Sequence, residues 1–261
     1  MVWKRADALE KTVRGLLSGR FARAGLYCFE EIGSTNAFLK ERADTEPGEA
    51  VAFALSQTAG VGRRGHTFST RSGEALHLSF LLRGLPEQGA PASLMAGLAV
   101  QQALFALCGE GFSLKWPNDP LADGRKVGGI LCEAVPGGVV CGIGVNLLLP
   151  ARFFAEQGLP HAASIQMVKG SAPAPEVLAA AIAEKLELVL AADAHTVLAS
   201  YAAHCATLGA QVRVFGADGR APLEGVAESI TPQGELVVRT AAGRVTVRAG
   251  DVSVRGRDGY V

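Results

Sequence analysis

The chain has 261 residues, 49% of them hydrophobic, and 25 basic residues balance 25 acidic ones. That length supports one large domain and a small one with a sizeable core. A net charge of zero gives no global drive toward nucleic acid or an anionic membrane, and no apolar run reaches the roughly 18 residues that span a bilayer. The five cysteines form no CxxC pair and sit mostly in apolar contexts, as reduced thiols of a cytoplasmic protein do. MVWKRADALEKTVRGLL lacks the continuous apolar segment of a secretory signal.

Asp7 to Leu17 reads as a short amphipathic helix ending near Gly19. A strand over Tyr27–Ile32 leads into Gly33-Ser34-Thr35-Asn36, where Ser34 or Thr35 caps a helix through Lys40. Val51–Gln57 is a second strand. The stretch 58–73 is rich in Gly, Arg, Ser and Thr without periodicity, the texture of a functional loop. Leu76, Leu78 and Phe80 alternate with His77 and Ser79, which predicts a half-buried strand. Pro91–Leu107 reads as a buried helix with its proline in the first turn.

Phe112–Lys115 is a short strand running into Lys115-Trp116-Pro117-Asn118-Asp119. Pro117 stops a regular central strand, and a loop there would expose Asn118 and Asp119. Ile130–Ala134 and Val139–Val145 form a hairpin about Pro136-Gly137-Gly138. Glu176–Leu190 has apolar residues at helical spacing, and a further helix runs from Asp193 to about Cys205. Beyond Leu208 short β-rich runs separated by glycine turns predict a small closed or nearly closed barrel, with the boundary between residues 1–207 and 208–261.

Five polar islands carry the chemistry. The loop 57–66 places glycines 60, 62 and 65 beside Arg63 and Arg64, so backbone and cationic forks can close around an anion; a solvated basic loop is the plain alternative. Its GxGxxG spacing is followed by no helical pattern and by no acidic strand end, which excludes a dinucleotide fold. Ser34, Thr35 and Asn36 serve as a cap or as hydroxyls and an amide facing a polar ring. The corner 115–119 supplies a cation, an amide and a carboxylate, or only a turn. In Gly124–Glu133, Lys126 precedes Gly128 and Gly129, where a ligand could pack on bare backbone; Glu133 is a ligand group or a hairpin charge. Asn146 in Gly142–Leu147 needs a hydrogen-bond partner, which a purine edge or the backbone would give. The five histidines show no metal-ligand spacing and there is no GxSxG elbow. Trp3 and Trp116 read as packing groups.

In their order these islands resemble the biotin protein ligases: STN, QTAGVGRRGH, KWPND, KVGGILCE and GIGVN, spanning residues 33–147. The resemblance implies an α+β fold, a mixed or antiparallel-sheet catalytic domain like that of class II aminoacyl-tRNA synthetases, followed by a small SH3-like β-barrel. It implies that biotin attacks the α-phosphate of Mg·ATP to give biotinyl-5′-AMP, and that a lysine of a biotin carboxyl carrier domain then takes the biotin. Neither step needs an enzyme nucleophile; fixed cations are the main requirement.

By motif position, Ser34, Thr35, Asn36 and Gln57 line the biotin pocket, and Gly60, Val61, Gly62 and Arg63 wrap the carboxylate. Lys126 with Arg63 stabilises charge in the chemical step, and Gly128 and Gly129 allow close approach. Arg64, Phe68, Lys115, Asn118, Asp119 and Asn146 face ATP, and Asp119 is the candidate for Mg²⁺. Val61, His66 and Phe68 stand where the family usually has Arg, Arg and Trp. Only 33 residues precede Ser34, too few for the DNA-binding winged helix of bifunctional members, so a ligase without repressor function and without DNA is expected. Pairing of two chains at a sheet edge is an open expectation. The competing readings are a lipoate or octanoyl ligase or transferase, and a non-enzymatic biotin-sensing regulator.

Overall fold

The structure is a computed structural model that describes residues 3–62, 70, 72–86, 89–216, 221–249, 252–256 and 260. Its elements in chain order are β1 (Trp3–Arg5), α1 (Asp7–Leu16), β2 (Gly25–Ile32), α2 (Thr35–Arg42), β3 (Ala50–Ala54), β4 (Ala75–Arg83) and α3 (Ala92–Cys108). Next come β5 (Phe112–Lys115), β6 (Asp119–Ala122), β7 (Arg125–Lys126), β8 (Gly128–Val135) and β9 (Gly138–Asn146). Helices α4 (Ala151–Glu156), α5 (Ile165–Lys169), α6 (Pro175–Ala191) and α7 (Ala194–Ala203) follow. The last strands are β10 (Gln211–Gly216), β11 (Leu223–Ile230), β12 (Leu236–Thr240), β13 (Gly243–Val247) and β14 (Val252–Gly256).

A six-stranded sheet, ordered β1-β2-β3-β4-β9-β8, forms the frame. Only β2 and β3 run parallel, because α2 carries the chain across between them; the other pairs are antiparallel. Helices α3 and α6 cover one face, where Leu76, Leu78, Phe80 and Leu82 of β4 pack with Leu98, Leu104, Ile182 and Leu186. The other face is covered only in part. Under α2 a second cluster holds Phe29, Phe38, Leu39 and Leu81.

That second layer corrects the expectation for β4. His77 and Ser79 were expected on a solvent face, yet they are 1% and 0% exposed. Along this face the strand passes from Leu81 beneath α2 to Ser79 and His77 beneath a polar cluster. The strand is therefore buried on both sides, with apolar residues on one and a satisfied polar run at the end of the other.

The corner at 115–119 is also more buried than expected. Strands β5 and β6 are a tight antiparallel pair whose last rung is Lys115 opposite Asp119. Asn118 and Asp119 are 8% and 9% exposed. The backbone N–H of Ile130 donates to Asn118 O, and Asn118 Nδ2 donates to Ile130 O, which pins the turn to β8. Short β6, β7, α4 and α5 carry no periodic signal in the sequence, because none is long enough to show a period.

The C-terminal strands fall where the sequence placed them and form an antiparallel sheet ordered β13-β12-β11-β10-β14. Val212, Val214, Ala227, Leu236, Val238 and Val254 fill its inner face. No rung joins β13 to β14 among the described residues, and these strands form a five-stranded antiparallel sheet with β13 and β14 at its ends. Trp116 locks this sheet to the first domain. Its ring is buried, its Nε1 donates to Gly234 O at 3.0 Å, and its backbone N–H donates to Thr207 Oγ1 at 2.9 Å. Gly234 is required at that contact: it has φ +76°, and a Cβ there would stand 2.5 Å from Pro91.

Candidate active site

One cleft of about 810 Å³ lies on the face of the sheet that α2 leaves open. Ser34, Thr35, Asn36, Gln57, Val61, Gly62, Lys115, Asn118, Asp119, Lys126, Gly128, Gly129 and Asn146 all line it. Thirteen candidate positions scattered over more than a hundred residues of sequence thus converge on one space. Gly60 is buried but does not line the cleft. Arg63, Arg64, His66 and Phe68 lie outside the described residues.

At one end is a hydrogen-bonded polar network. Ser34 caps α2, its side chain accepting from Ala37 N at 3.4 Å. Gln57 Oε1 accepts from Thr35 N at 2.7 Å and from Thr35 Oγ1 at 3.0 Å. That fixes the amide, so Gln57 Nε2 donates to His77 Nδ1 at 3.1 Å. His77 must then carry its proton on Nε2, which meets Thr70 Oγ1 at 2.8 Å. Burial agrees with this neutral form, because it pushes the imidazole down to about 4.

Ser79 Oγ stands 2.7 Å from both Thr35 Oγ1 and Asn36 Oδ1, so one hydroxyl hydrogen is shared between two acceptors. Asn36 Nδ2 donates to Leu131 O at 3.2 Å and to Glu133 Oε2 at 3.0 Å, and Glu133 Oε1 pairs with Lys40 at 2.5 Å. Glu133 is thus a hairpin charge that orients Asn36, and Asn36 shapes the pocket instead of offering a spare amide. His77 and Ser79 are the residues that sequence reasoning missed here. The signal was present, since both polar residues fall on one face of a strand that is otherwise apolar.

At the other end is a charged corner. Lys126 Nζ stands 2.7 Å from Asp119 Oδ1. Lys115 is 3% exposed. Burial lowers its ammonium to about 7, with Asp119 opposing the shift and Arg255 and Lys126 adding to it. Asp119 Oδ2 accepts from the hydroxyl of Tyr260, a residue of the C-terminal domain that the sequence did not single out. Lys126 thus faces one oxygen of Asp119 as an ion-pair partner without a hydrogen bond, Tyr260 bonds the other, and no cluster of three metal-ligating side chains occurs among the described residues. The corner does not fit a protein-held Mg²⁺; the donor set suits an anion. Asn146 Nδ2 donates to Ala163 O at 3.0 Å, so the backbone alternative accounts for part of its amide.

The floor between the ends is glycine. A Cβ on Gly129 would reach Lys126 Nζ and Asp119 Oδ1 at 3.7 Å, so this residue does open backbone to the site. Gly128 differs from expectation: a Cβ there would meet Gly144 O at 2.4 Å, so its missing side chain serves strand packing. Gly142 makes room for Asn36, whose Oδ1 would lie 2.1 Å from an added Cβ. Phe153, Phe154 and Leu159, in and just after α4, add an apolar wall.

Residues 28–148 match the model of the biotin/lipoate A/B protein ligase family, and residues 207–255 match that of the biotin protein ligase C-terminal domain. The biotin--[acetyl-CoA-carboxylase] ligase of Mycobacterium tuberculosis is 35% identical over 233 residues, covering 85% of this chain and 86% of that protein. That of Paracoccus denitrificans is 34% identical over 239 residues, covering 85% and 98%. In fold, the chain is similar to the biotin protein ligase of Aquifex aeolicus in complex with biotin and ATP, with TM-score 0.76, 24% identity, and coverage of 89% and 99%. With two relatives above 30% identity along most of their length, a catalytic sheet of this topology and a matching C-terminal domain, the chain belongs to the biotin protein ligase family.

Proposed function

We infer that this protein is a biotin–[acetyl-CoA-carboxylase] ligase: it activates biotin with ATP to biotinyl-5′-AMP and transfers the biotin to a lysine of a carboxylase carrier domain. The observation that carries this reading is the pairing, in one cleft, of a buried hydroxyl–amide network with a corner holding two lysines around one carboxylate.

The network suits the ureido ring, which presents one carbonyl oxygen and two N–H groups. Ser34, Thr35 and Gln57 lie beside that position, and Asn36, His77 and Ser79 hold them. The apolar wall of Phe153 and Leu159 suits the thiophane ring and the valeryl chain. Biotin's carboxylate then points to the corner, where Lys126 draws the carboxylate and the α-phosphate together against their repulsion. A pentavalent α-phosphate gathers negative charge, so a preplaced ammonium lowers that barrier most. Lys115 faces the phosphates, and Arg63, Arg64 and Phe68 are assigned to the nucleotide and carboxylate by motif position alone. Mg²⁺ enters as the counter-ion of ATP, part of the co-substrate. Pyrophosphate leaves, and the neutral amine of the acceptor lysine attacks the mixed anhydride, releasing AMP.

Residues 1–207 are assigned to catalysis and 208–261 to the C-terminal domain. No helix among the described residues is long and apolar enough to cross a membrane. Five free cysteines support a reducing compartment, and we place the reaction in the cytoplasm. No DNA partner is assigned, in keeping with the balanced charge. The sheet ends at β1, and pairing of two chains at that edge would give a homodimer, which light scattering with and without biotin tests.

The test is incubation with biotin, Mg·ATP and a carrier domain, followed by pyrophosphate assay and mass spectrometry. Biotinyl-AMP and one labelled carrier lysine are expected. Absence of pyrophosphate release refutes the reading, and activation of lipoate in place of biotin moves the chain to the other branch of the family.

A further inference from the structure

Tyr260 belongs to the C-terminal domain yet reaches into the charged corner of the catalytic domain. Its hydroxyl donates to Asp119 Oδ2. Its ring centroid lies 3.4 Å from Lys115 Nζ, 5.4 Å from the guanidinium carbon of Arg255 and 5.7 Å from the stacked ring of His161. Burial and the neighbouring carboxylate both raise the phenol's pKa, so the hydroxyl keeps its proton and remains a donor. With three side chains already against it, the ring is no open platform for a base.

Asp119 is the hinge of the arrangement. Its side chain is 12% exposed, and Lys126 stands against Oδ1 while Tyr260 holds Oδ2. A buried carboxylate with one partner can turn toward whichever cation is nearer; here the other candidate is Lys115, across the last rung of the hairpin. A donor on the second oxygen removes that freedom. It leaves Lys126 aimed at the floor beside Gly129 and keeps Lys115 from being neutralised by the same carboxylate.

We propose that Tyr260 is a positioning residue for adenylation: its hydroxyl fixes the Asp119 carboxylate, which sets where the Lys126 ammonium stands, while its ring caps Lys115. This rests on the biotin ligase reading, and it makes the C-terminal domain part of the nucleotide half of the active site.

The test compares Tyr260→Phe and Tyr260→Ala in the full chain, reading pyrophosphate release at varied ATP and biotin. Phe keeps the ring and loses only the donor. It should lower kcat on the order of tenfold, the size of one lost hydrogen bond to a charge, with the biotin KM unchanged and the melting temperature lowered by only about 2–4 °C. Ala should lower kcat at least as much and also raise the ATP KM when read at about pH 6, where Lys115 is charged with or without its cover and loses only the ring that holds it. In an Asp119→Asn background the Phe substitution should cost nothing further.

A Phe variant equal to wild type, losses that simply add, or an Ala variant with a lower ATP KM would each overturn the proposal. The last would make the ring a plug. A wild-type chain that releases no pyrophosphate refutes the ligase reading instead. The same double-mutant cycle read by thermal denaturation then decides whether Tyr260 and Asp119 are coupled.

Discussion

Lys126 and Asp119 form a diagonal pair on neighbouring strands: Lys126 sits opposite Leu121, two residues beyond Asp119, and its Nζ reaches Oδ1 at 2.7 Å. Residues two apart share a face of a strand, so the β6–β7 turn brings the lysine over the carboxylate. This turns two separate sequence islands into one site.

The first prediction concerns that lysine. Lys126→Ala should reduce pyrophosphate release on the order of 10²–10³-fold, the cost of removing one preplaced charge stabiliser. Its side chain is 35% exposed, so circular dichroism should show a folded chain. Undiminished release would assign the chemical step to other cations.

Lys115 predicts a pH dependence with a definite sign. Burial brings its ammonium down to about 7, so the cation is present below that pH and lost above it. The profile of kcat/KM for ATP reports the free enzyme, and it should fall as pH rises through about 7. Lys115→Arg keeps its charge throughout and should flatten that limb, whatever its absolute rate. A wild-type profile level to pH 9 would remove Lys115 from phosphate binding.

Two glycines separate packing from chemistry. At Gly142 an added methyl collides with Asn36 Oδ1, an atom held by Ser79. Gly142→Ala should therefore lower stability by about 1–3 kcal/mol and weaken biotin binding, read by thermal denaturation and calorimetry. At Gly129 the nearest atoms are 3.7 Å away, so Ala fits the fold. Those atoms are Lys126 Nζ and Asp119 Oδ1, and Gly129→Ala should melt like wild type while slowing adenylation. Equal effects of the two substitutions on stability would contradict this division.

The longer elements were legible because apolar periodicity and turn residues are local signals. Glu176–Leu190 and the hairpin about Gly137 are examples. The site was legible as motifs, since Ser34, Gln57, Lys115 and Lys126 stand in family order. Which motif residues face ligand and which face protein is a three-dimensional question. Gly128 and Gly129 are adjacent, yet one yields to a carbonyl and the other to the site. His77 and Ser79 read as a solvent face because alternation does not say whether a second layer lies above the strand. Tyr260 had no signal at all, since its role exists only once the C-terminal sheet docks through Trp116.

His77 gives the last prediction, and it ties stability to the biotin end of the cleft. Burial lowers its pKa from 6.5 to about 4, so the unfolded chain takes up a proton at a higher pH than the folded one. Stability then rises with pH between about 4 and 6.5, and is lost as pH falls through that window, by up to about 3 kcal/mol at its lower end. His77→Gln removes the titration and should flatten the curve there, measured by denaturant unfolding from pH 4 to 7. Protonation at Nδ1 would also leave two donors facing each other at Gln57 Nε2. Biotin affinity should therefore hold from pH 7 to 5 and drop below about 4. A steady decline of affinity through pH 6.5 would mean that the imidazole titrates normally and that the Gln57–His77 bond does not organise the pocket.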